Sequence, residues 1–407
     1  MGLLMIAVCR LRIVEWRRRQ ISLQPFVKLF FVILLVVGFY GCSNLQLLKT
    51  PQNDSHQWQQ YGGTIERTNG SSSLLQPPLS VAWMYDASAG YSEYSVTIAD
   101  SIVYIGTLLG EVYAVHAHTG ENIGSYDFES AIYGAPVVDH SMLYVATANS
   151  EVSLYGFDLM KGRVVWKAAL GGIETSPLLL GDNLFVTTLD GDVYSINKHT
   201  GTANWKFLTP LFERPAFLRS SPASDGKSLV FGCDDGSVFC ISIEDGKLLW
   251  HSRTEKSVVA SPSIWNGRVF VGSQDGAMYA FNLSDGALVW KQSLGSPIYS
   301  SQAVGEHYVY AGTSSGDIVC LKSETGEILW RHKAQSAISC APLLAGKVLY
   351  VGSLDRSLYA LDADTGTLLW NETLEGRIKS MPVVWNEFLV LPLDNKMVVG
   401  MKRGGGE

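Results

Sequence analysis

The amino-acid sequence predicts an all-β fold, an eight-bladed β-propeller in which each blade contains four antiparallel strands. Two observations support this prediction: a phrase that recurs about every 40 residues, and an alternation of apolar and polar residues within each copy. The copies end in a glycine-containing turn followed by Trp, as in LYALDADTGTLLW at residues 358–370. The turn glycines are Gly120, Gly162, Gly201, Gly246, Gly286, Gly326 and Gly366. Because stacked repeats share their cores, we expect one body over residues 58–402 rather than several domains.

The alternation within one repeat predicts where its four strands lie. In residues 257–290, apolar residues recur at every second position, and the apolar runs are separated by turn dipeptides. Asn266-Gly267 and Asp275-Gly276 are pairs that favour the positive φ angles of tight hairpins. The predicted strands of this repeat are residues 258–264, 268–273, 277–281 and 287–290.

The number of blades follows from the number of repeat cores, and the two ends of the chain complete one blade together. The cores begin near Tyr94, Ile132, Ile173, Leu218, Val258, Ile298, Ile338 and Ile378. The last core, residues 378–401, has no fourth strand after it, whereas residues 79–86 form a fourth-type strand with no core before it. We expect these two segments to pair, because the pairing removes the free sheet edge of an open ring.

The recurring Trp has a structural interpretation. A blade cannot bury both of its faces alone, and a large flat side chain beside the turn can fill the space between neighbouring blades. A buried Trp removes roughly 150–250 Å² from water. The residues predicted to dock adjacent blades in this way are Trp83, Trp166, Trp205, Trp250, Trp290, Trp330 and Trp370.

Composition excludes several classes of function. The 407 residues carry a net charge of −7, so no overall basic field attracts nucleic acid, and we expect no nucleic-acid partner. The six cysteines show no CxxC spacing, and no metal site is predicted from them. Cys240 and Cys320 stand where other repeats have Ala, which predicts small core residues.

The first 41 residues differ from the rest and read as a signal peptide. Arginines and a lysine precede an uncharged run at residues 29–41, which is shorter than the about 20 residues of a spanning helix. The Gly41-Cys42 ending resembles the lipobox of bacterial lipoproteins, which implies lipid on Cys42, including palmitate. Residues 42–57 are then a polar tether, and residues 403–407 a tail. A retained short anchor and a cleaved secretory protein are the alternatives.

The repeat itself resembles a known family. The phrase DG-x-(M/L)-YA-(F/L)…(T/D)-G…W, and the opening WQQYGGTIERTNG at residues 58–70, are similar to the quinoprotein-like (PQQ-dehydrogenase-like) β-propellers. Within that superfamily, a lipoprotein consisting of one eight-bladed propeller resembles the BamB family of outer-membrane protein assembly factors. The resemblance implies a non-catalytic scaffold without cofactor, lipid-anchored at the periplasmic face of the outer membrane. It also implies a monomer that joins a complex by binding the barrel-inserting assembly subunit.

The same resemblance points to one loop as the partner-binding site. The longest spacing between turn glycines, 45 residues, contains LTPLFERPAFLRSSPAS at residues 208–224. By similarity to BamB-type proteins, Phe217, Leu218 and Arg219 are expected to contact the partner, although Phe217 replaces the usual aliphatic residue. The alternative is an inter-blade loop that is merely longer than the others.

Two other functions remain open at this stage. A quinone-dependent dehydrogenase of this fold would have an adjacent Cys-Cys pair, a calcium shell and a catalytic Asp, and no two cysteines are adjacent here. We therefore predict no catalytic residue and no metal ligand; His116-x-His118 could be a metal pair but fits a decorated turn. A quinoprotein-like propeller could also bind another protein or a glycan, with Trp265 and Trp385 either lining the binding face or packing within loops.

Overall fold

The fold is that of a computed structural model, which describes residues 44–49, 58–210 and 217–404. These residues all belong to the compact unit Asn44–Glu407, whereas the predicted signal peptide and Cys42 lie outside them. The described residues form 33 strands and no helix. None of them therefore provides a helix of the length and apolar character that crossing a bilayer requires.

The strands form eight four-stranded antiparallel sheets, and the eight-bladed propeller predicted from the sequence is confirmed. Blade 1 consists of Val96–Ala99, Ile102–Gly106, Glu111–His116 and Asn122–Asp127, and blade 2 of Val137–Asp139, Met142–Ala146, Leu154–Asp158 and Arg163–Ala168. Blade 3 consists of Leu178–Leu180, Asn183–Thr187, Asp192–Asn197 and Ala203–Leu208, and blade 4 of Ala223–Ser224, Ser228–Gly232, Ser237–Ser242 and Leu248–Arg253. Blade 5 consists of Ser263–Trp265, Arg268–Gly272, Ala277–Asn282 and Leu288–Ser293. Blade 6 consists of Ala303–Val304, Tyr308–Gly312, Asp317–Lys322 and Ile328–Lys333. Blade 7 consists of Leu343–Ala345, Val348–Gly352, Ser357–Asp362 and Leu368–Thr373.

The eighth blade closes the ring as predicted. It contains Val383–Trp385, Phe388–Pro392 and Met397–Arg403, and its outer strand is Leu79–Asp86 from the N-terminal part of the chain. The outer strand runs antiparallel to Met397–Arg403, and Trp83 lies opposite Gly400. One further strand, Gly70–Ser71, pairs in parallel with the inner strand of blade 7.

The inner strand of blade 5 is shorter than the sequence predicted. In blade 5 the expected strand 258–264 is replaced by Ser263–Trp265, while the other three strands lie within a few residues of their predicted bounds. The reason is the Ser261-Pro262 pair that directly precedes this inner strand. Pro262 has no N–H to donate to a ladder, and Ser261 donates its N–H to a side chain of the next repeat, the Ser301 hydroxyl.

Six of the seven predicted docking tryptophans form one recurring contact. Each indole N–H donates to the backbone carbonyl that lies three residues before the turn glycine of the next blade, at 2.7–3.0 Å. The donors are Trp83, Trp166, Trp205, Trp250, Trp290 and Trp330. Trp370 is only half buried and makes no such bond within the described residues. The outer strand of blade 8 comes from the other end of the chain, so no turn joins it to the third strand to receive an indole N–H.

A belt of residues 58–71 runs around the inside of the ring and contacts seven blades in order. It accepts backbone N–H bonds of 2.8–3.0 Å from residues of the inner strands of blades 1, 2 and 4 to 7, and the Gln60 side chain accepts one from Leu179 of blade 3. The inner-strand donors are Ile98, Val138, Ser224, Ile264, Val304 and Leu344. The belt therefore ties the blades together before the chain leaves it to form the outer strand of blade 8.

Arg67 of the belt is buried against blades 3 and 4. Its side chain is fully buried, and its guanidinium donates to the carbonyl oxygens of Pro177 and Pro222 at 3.0 Å and to that of Tyr61. Burial lowers the pKa of Arg67 to about 9. The carbonyl acceptors come from blades 3 and 4 and from the belt itself, so the buried charge is hydrogen-bonded on several sides, as buried cations must be.

Candidate partner-binding site at the channel mouth

One position of the repeat, three or four residues before the inner strand, lies at the mouth of the central channel in blades 1 to 5. In blades 2 to 5 it directly follows a buried aliphatic residue, and in blade 1 it follows Ser92. In blades 1 to 5 the residues at this position line a single cavity of about 120 Å³. They are Glu93, Tyr133, Glu174, Arg219 and Val259. Blades 6 to 8 carry Tyr299, Ser339 and Lys379 at the equivalent position. The mouth is therefore lined by aromatic and charged side chains of both signs.

Arg219 is held in place at this mouth by two acidic residues. Its Nη1 atom lies 2.9 Å from Oδ2 of Asp234, and its Nε atom lies 3.5 Å from Oε2 of Glu174. The guanidinium also lies over the Phe217 ring, 5.6 Å from its centroid. The Arg219 side chain remains 49% exposed and Phe217 39% exposed. An oriented arginine beside an exposed aromatic ring has the composition of a protein-binding hot spot.

Leu218 does not belong to this surface, and its predicted role as a contact residue is corrected. Its side chain is fully buried in the core between blades 3 and 4, with Phe185, Leu178 and Phe231. Leu218 occupies the position that Ile173 and the other buried aliphatic residues hold in their repeats, and like them it donates its N–H to the preceding blade. The Leu-Arg dipeptide therefore has one structural and one exposed member.

Burial shifts the pKa values of two carboxyl groups at the mouth. The pKa of Glu93 is raised to about 7 by burial, which the hydrogen bond with Tyr94 only partly offsets. Burial also raises the pKa of Asp234, against the opposing effect of the Arg219 charge. Desolvation disfavours the ionised form of both acids. The mouth is therefore less negative than its acidic residues alone indicate.

The cavity at the mouth is shallow, because the belt occupies the channel beneath it. The buried Tyr61 ring packs edge-on against Tyr94, one of the cavity residues, with 4.6 Å between ring centroids. A volume of about 120 Å³ is also below the roughly 300 Å³ at which small-molecule pockets begin. The geometry favours a surface that meets a partner over a pocket that encloses a ligand.

The other candidate residues are not brought together into a chemical site. The His116 and His118 rings lie 5.7 Å apart, and His118 packs against Trp385 and Phe388. Among the described residues, no cluster of three or more His, Cys, Asp or Glu side chains could hold a metal ion. Cys240 and Cys320 are fully buried free thiols, and burial raises the pKa of each to about 12.

Trp265 and Trp385 have different environments. Trp385 is buried at the junction of blades 8 and 1, where its ring meets His118 edge-on. Trp265 is 40% exposed and lines an open cleft of about 430 Å³ between blades 5 and 6. Its indole N–H donates to the carbonyl oxygen of Glu306 at 3.2 Å, and Arg268 donates to that of Ser323. The cleft residues thus serve first to join the two blades.

Eight four-stranded blades, six of them docked onto the next blade by a tryptophan and the ring closed by the N-terminal strand, define the class of this chain as a quinoprotein-like β-propeller. The sequence model of the family described as outer membrane protein assembly factor BamB matches residues 50–169, 153–286 and 275–406. The chain belongs to this family, and the family prediction made from the repeat is confirmed.

Individual relatives are distant and align over part of their length. The outer membrane protein assembly factor BamB of Legionella pneumophila is 28% identical over 188 residues, which cover 44% of this chain and 47% of the relative. The protein of the same name from Burkholderia pseudomallei is 26% identical over 186 residues, with 44% and 47% covered. The chain thus spans about half the length of these relatives in the alignments.

Solved structures show the same fold at lower sequence identity. The crystal structure of BamB from Moraxella catarrhalis superimposes with a TM-score of 0.69 and 19% identity, covering 80% of this chain and 100% of that chain. A quinohemoprotein alcohol dehydrogenase from Pseudomonas putida HK5 gives a TM-score of 0.75 and 13% identity, covering 88% and 83%. Because assembly factors and dehydrogenases share the propeller, the fold alone does not decide between them.

Proposed function

We propose that this chain is a non-catalytic outer-membrane protein assembly factor that binds the barrel-inserting subunit of its complex. The observation that supports the proposal is the family match combined with an oriented, exposed Arg219 beside Phe217 at the channel mouth. In this proposal Cys42 carries the lipid anchor, the propeller lies at the periplasmic face of the outer membrane, and one copy joins the complex.

The geometry of the mouth supports this contact surface. Arg219 and Phe217 present a cation and an aromatic face, while Glu174 and Asp234 fix the guanidinium direction. Leu218 contributes from beneath by packing the loop onto blades 3 and 4. Because the charge is preorganised, its binding to a carboxylate or backbone carbonyls of the partner costs little side-chain entropy.

The test is affinity capture from detergent-solubilised envelopes with the Phe217→Ala/Arg219→Ala variant. We expect the wild-type chain to recover a large outer-membrane barrel protein and the variant to lose it, with unchanged thermal unfolding. Lys247→Ala is the matched control, because it removes an exposed cation of the same blade from the turn at the other end of strand Ser237–Ser242. Equal recovery by all three proteins would contradict the assigned surface, and recovery of no barrel protein by the wild type would contradict the function.

A further inference from the structure

Blade 1 lacks the tryptophan that its neighbours use for docking. Gly124 occupies the position on strand Asn122–Asp127 that Trp290 holds on its own strand: Gly124 lies opposite Ala114, and Trp290 lies opposite Ala280. The receiving turn on blade 2 is nevertheless formed normally, with Gly162 at φ 61°. The repeat therefore leaves one docking site between blades 1 and 2 without its own side chain.

Residues 44–47 fill this site. Leu45 donates its backbone N–H to the carbonyl oxygen of Ser125 at 3.0 Å, and Leu47 donates to that of Leu159 at 2.8 Å. The Gln46 side chain donates to the carbonyl oxygen of Met160, also at 2.8 Å. Both leucine side chains are buried in the core that blades 1 and 2 share.

The segment makes the contacts that a docking tryptophan makes at the other blade junctions. Leu159 lies three residues before Gly162, which is the carbonyl position that accepts the indole N–H in the six tryptophan-docked turns. A Cβ on Gly162 would lie 3.1 Å from Cβ of Gln46, and a Cβ on Gly124 would lie 3.0 Å from the carbonyl oxygen of Asn44 and from Cα of Leu45. The segment therefore occupies the volume from which a residue-124 side chain is missing.

We propose that residues 44–47 are a built-in docking peptide that makes the rim between blades 1 and 2 the membrane-facing surface of the propeller. The membrane part rests on the proposed function, in which Cys42 carries the lipid. A free tether of residues 42–57 would have an end-to-end distance of roughly 20–24 Å and would allow any orientation. With Asn44 docked, Cys42 is only two positions away along the chain, a separation of at most about 7 Å.

The blade 2 side of the rim, next to the docked segment, carries groups that suit contact with anionic lipid. Leu48, which directly follows the segment, is 94% exposed. The turn and outer strand of blade 2 also carry three exposed cations, Lys161, Arg163 and Lys167, and Asp158 pairs with the first of them. Basic side chains near a membrane are attracted to anionic headgroups, and an apolar side chain beside them can enter the interface.

Restoring the missing tryptophan tests the docking peptide directly. In the membrane-anchored protein, amide hydrogen exchange should show the Leu45 and Leu47 amides protected, and Gly124→Trp should abolish that protection. Leu45→Asp should release the segment without altering blade 1, and it covers the case in which Gly124→Trp fails to fold. Leu48→Asp is the matched control and should preserve protection. Unprotected Leu45 and Leu47 amides in the wild type, or protection retained in both release variants, would overturn the proposal.

Fluorescence quenching in liposomes of zwitterionic and anionic phospholipid tests the orientation. A dye on Lys161→Cys should be quenched by a headgroup quencher, whereas a dye at the equivalent turn of blade 6, on Thr325→Cys, should not. The described native thiols are buried and free, so they do not compete for the dye. Leu45→Asp should make the two positions equal, and equal quenching in the unaltered background would overturn the membrane-facing assignment.

The two proposals fail separately. An unlipidated Cys42, read from the mass of the N-terminal peptide, would overturn the membrane-facing surface and leave the docking peptide to the exchange experiment. Failure of the wild-type chain to capture a barrel protein, with the quenching pattern intact, would overturn the assembly function alone.

Discussion

Trp290 on the outer strand of blade 5 donates its indole N–H to the carbonyl oxygen of Ser323 on blade 6, with 3.0 Å between Nε1 and O. A Cβ on the turn residue Gly326 would lie 2.7 Å from the Trp290 ring. The turn therefore fits the ring only because residue 326 has no side chain. This contact joins two separate sheets. Because it recurs at other blade junctions, most repeats of the chain keep both a turn glycine and a tryptophan.

Truncation of Trp290 should destabilise the propeller strongly. Trp290→Ala removes a buried ring from between two blades and one of the two donors to the Ser323 carbonyl, the other being Arg268. The free energy of unfolding should therefore fall by about 3–5 kcal/mol. Urea denaturation followed by circular dichroism measures the change. A loss below about 1 kcal/mol would refute the docking role, because it would match an ordinary surface substitution.

Trp330 and Trp370 form a matched pair that isolates the docking hydrogen bond. Both side chains are half buried, but only Trp330 donates its indole N–H, to Ala363 at 3.0 Å, among the described residues. Trp330→Phe should therefore cost about 1 kcal/mol more than Trp370→Phe, the usual net value of one hydrogen bond. Denaturation of both variants side by side gives the difference, and equal losses would mean that the hydrogen bond contributes nothing measurable.

Leu218 and Arg219 should separate stability from binding. Leu218→Ala opens a cavity in the core between blades 3 and 4 and should lower the free energy of unfolding by about 2–5 kcal/mol. Arg219→Ala removes an exposed ion pair and should cost no more than about 1 kcal/mol, yet it should weaken partner capture. Thermal denaturation and capture of both variants check the pair. A stable Leu218→Ala protein would place that side chain outside the core.

The sequence was sufficient for the architecture because the architecture is periodic. The 40-residue period, the turn glycines and the unpaired strand Leu79–Asp86 together predicted eight blades and their closure, and both predictions are confirmed. The same repeat held the signal that corrects Leu218, since Ile173 and Val258 occupy its position and are equally buried. Comparing repeats position by position would have separated Leu218 from Arg219.

The belt and the docking peptide could not be predicted in this way, because neither is part of the repeat. Belt residues such as Glu66 and Thr68 bind backbone groups far away in the chain, at Ile264 and Val304. Nothing in their local sequence indicates those partners. The absence of a tryptophan at Gly124 was visible in the sequence, but which segment fills the space depends on the packing of residues 44–47.

Stability should depend on pH through Glu93. Its pKa is raised to about 7 in the folded protein from an ordinary value near 4.5, so the folded state binds more protons than the unfolded state between these pH values. The free energy of unfolding should fall as pH rises through this window, by no more than about 3 kcal/mol. Denaturation from pH 4.5 to pH 8 of the wild type and Glu93→Gln measures the effect. Parallel curves would show that Glu93 ionises normally.

The most direct test of the central claim is the abundance of β-barrel proteins in the outer membrane of cells that lack this chain. We predict that abundance falls in the deletion strain and is restored by the wild-type chain and by Lys247→Ala, but not by Phe217→Ala/Arg219→Ala expressed at the same level. Unchanged abundance in the deletion strain would contradict an assembly function. Full restoration by the Phe217→Ala/Arg219→Ala variant would contradict the channel mouth as the site that performs it.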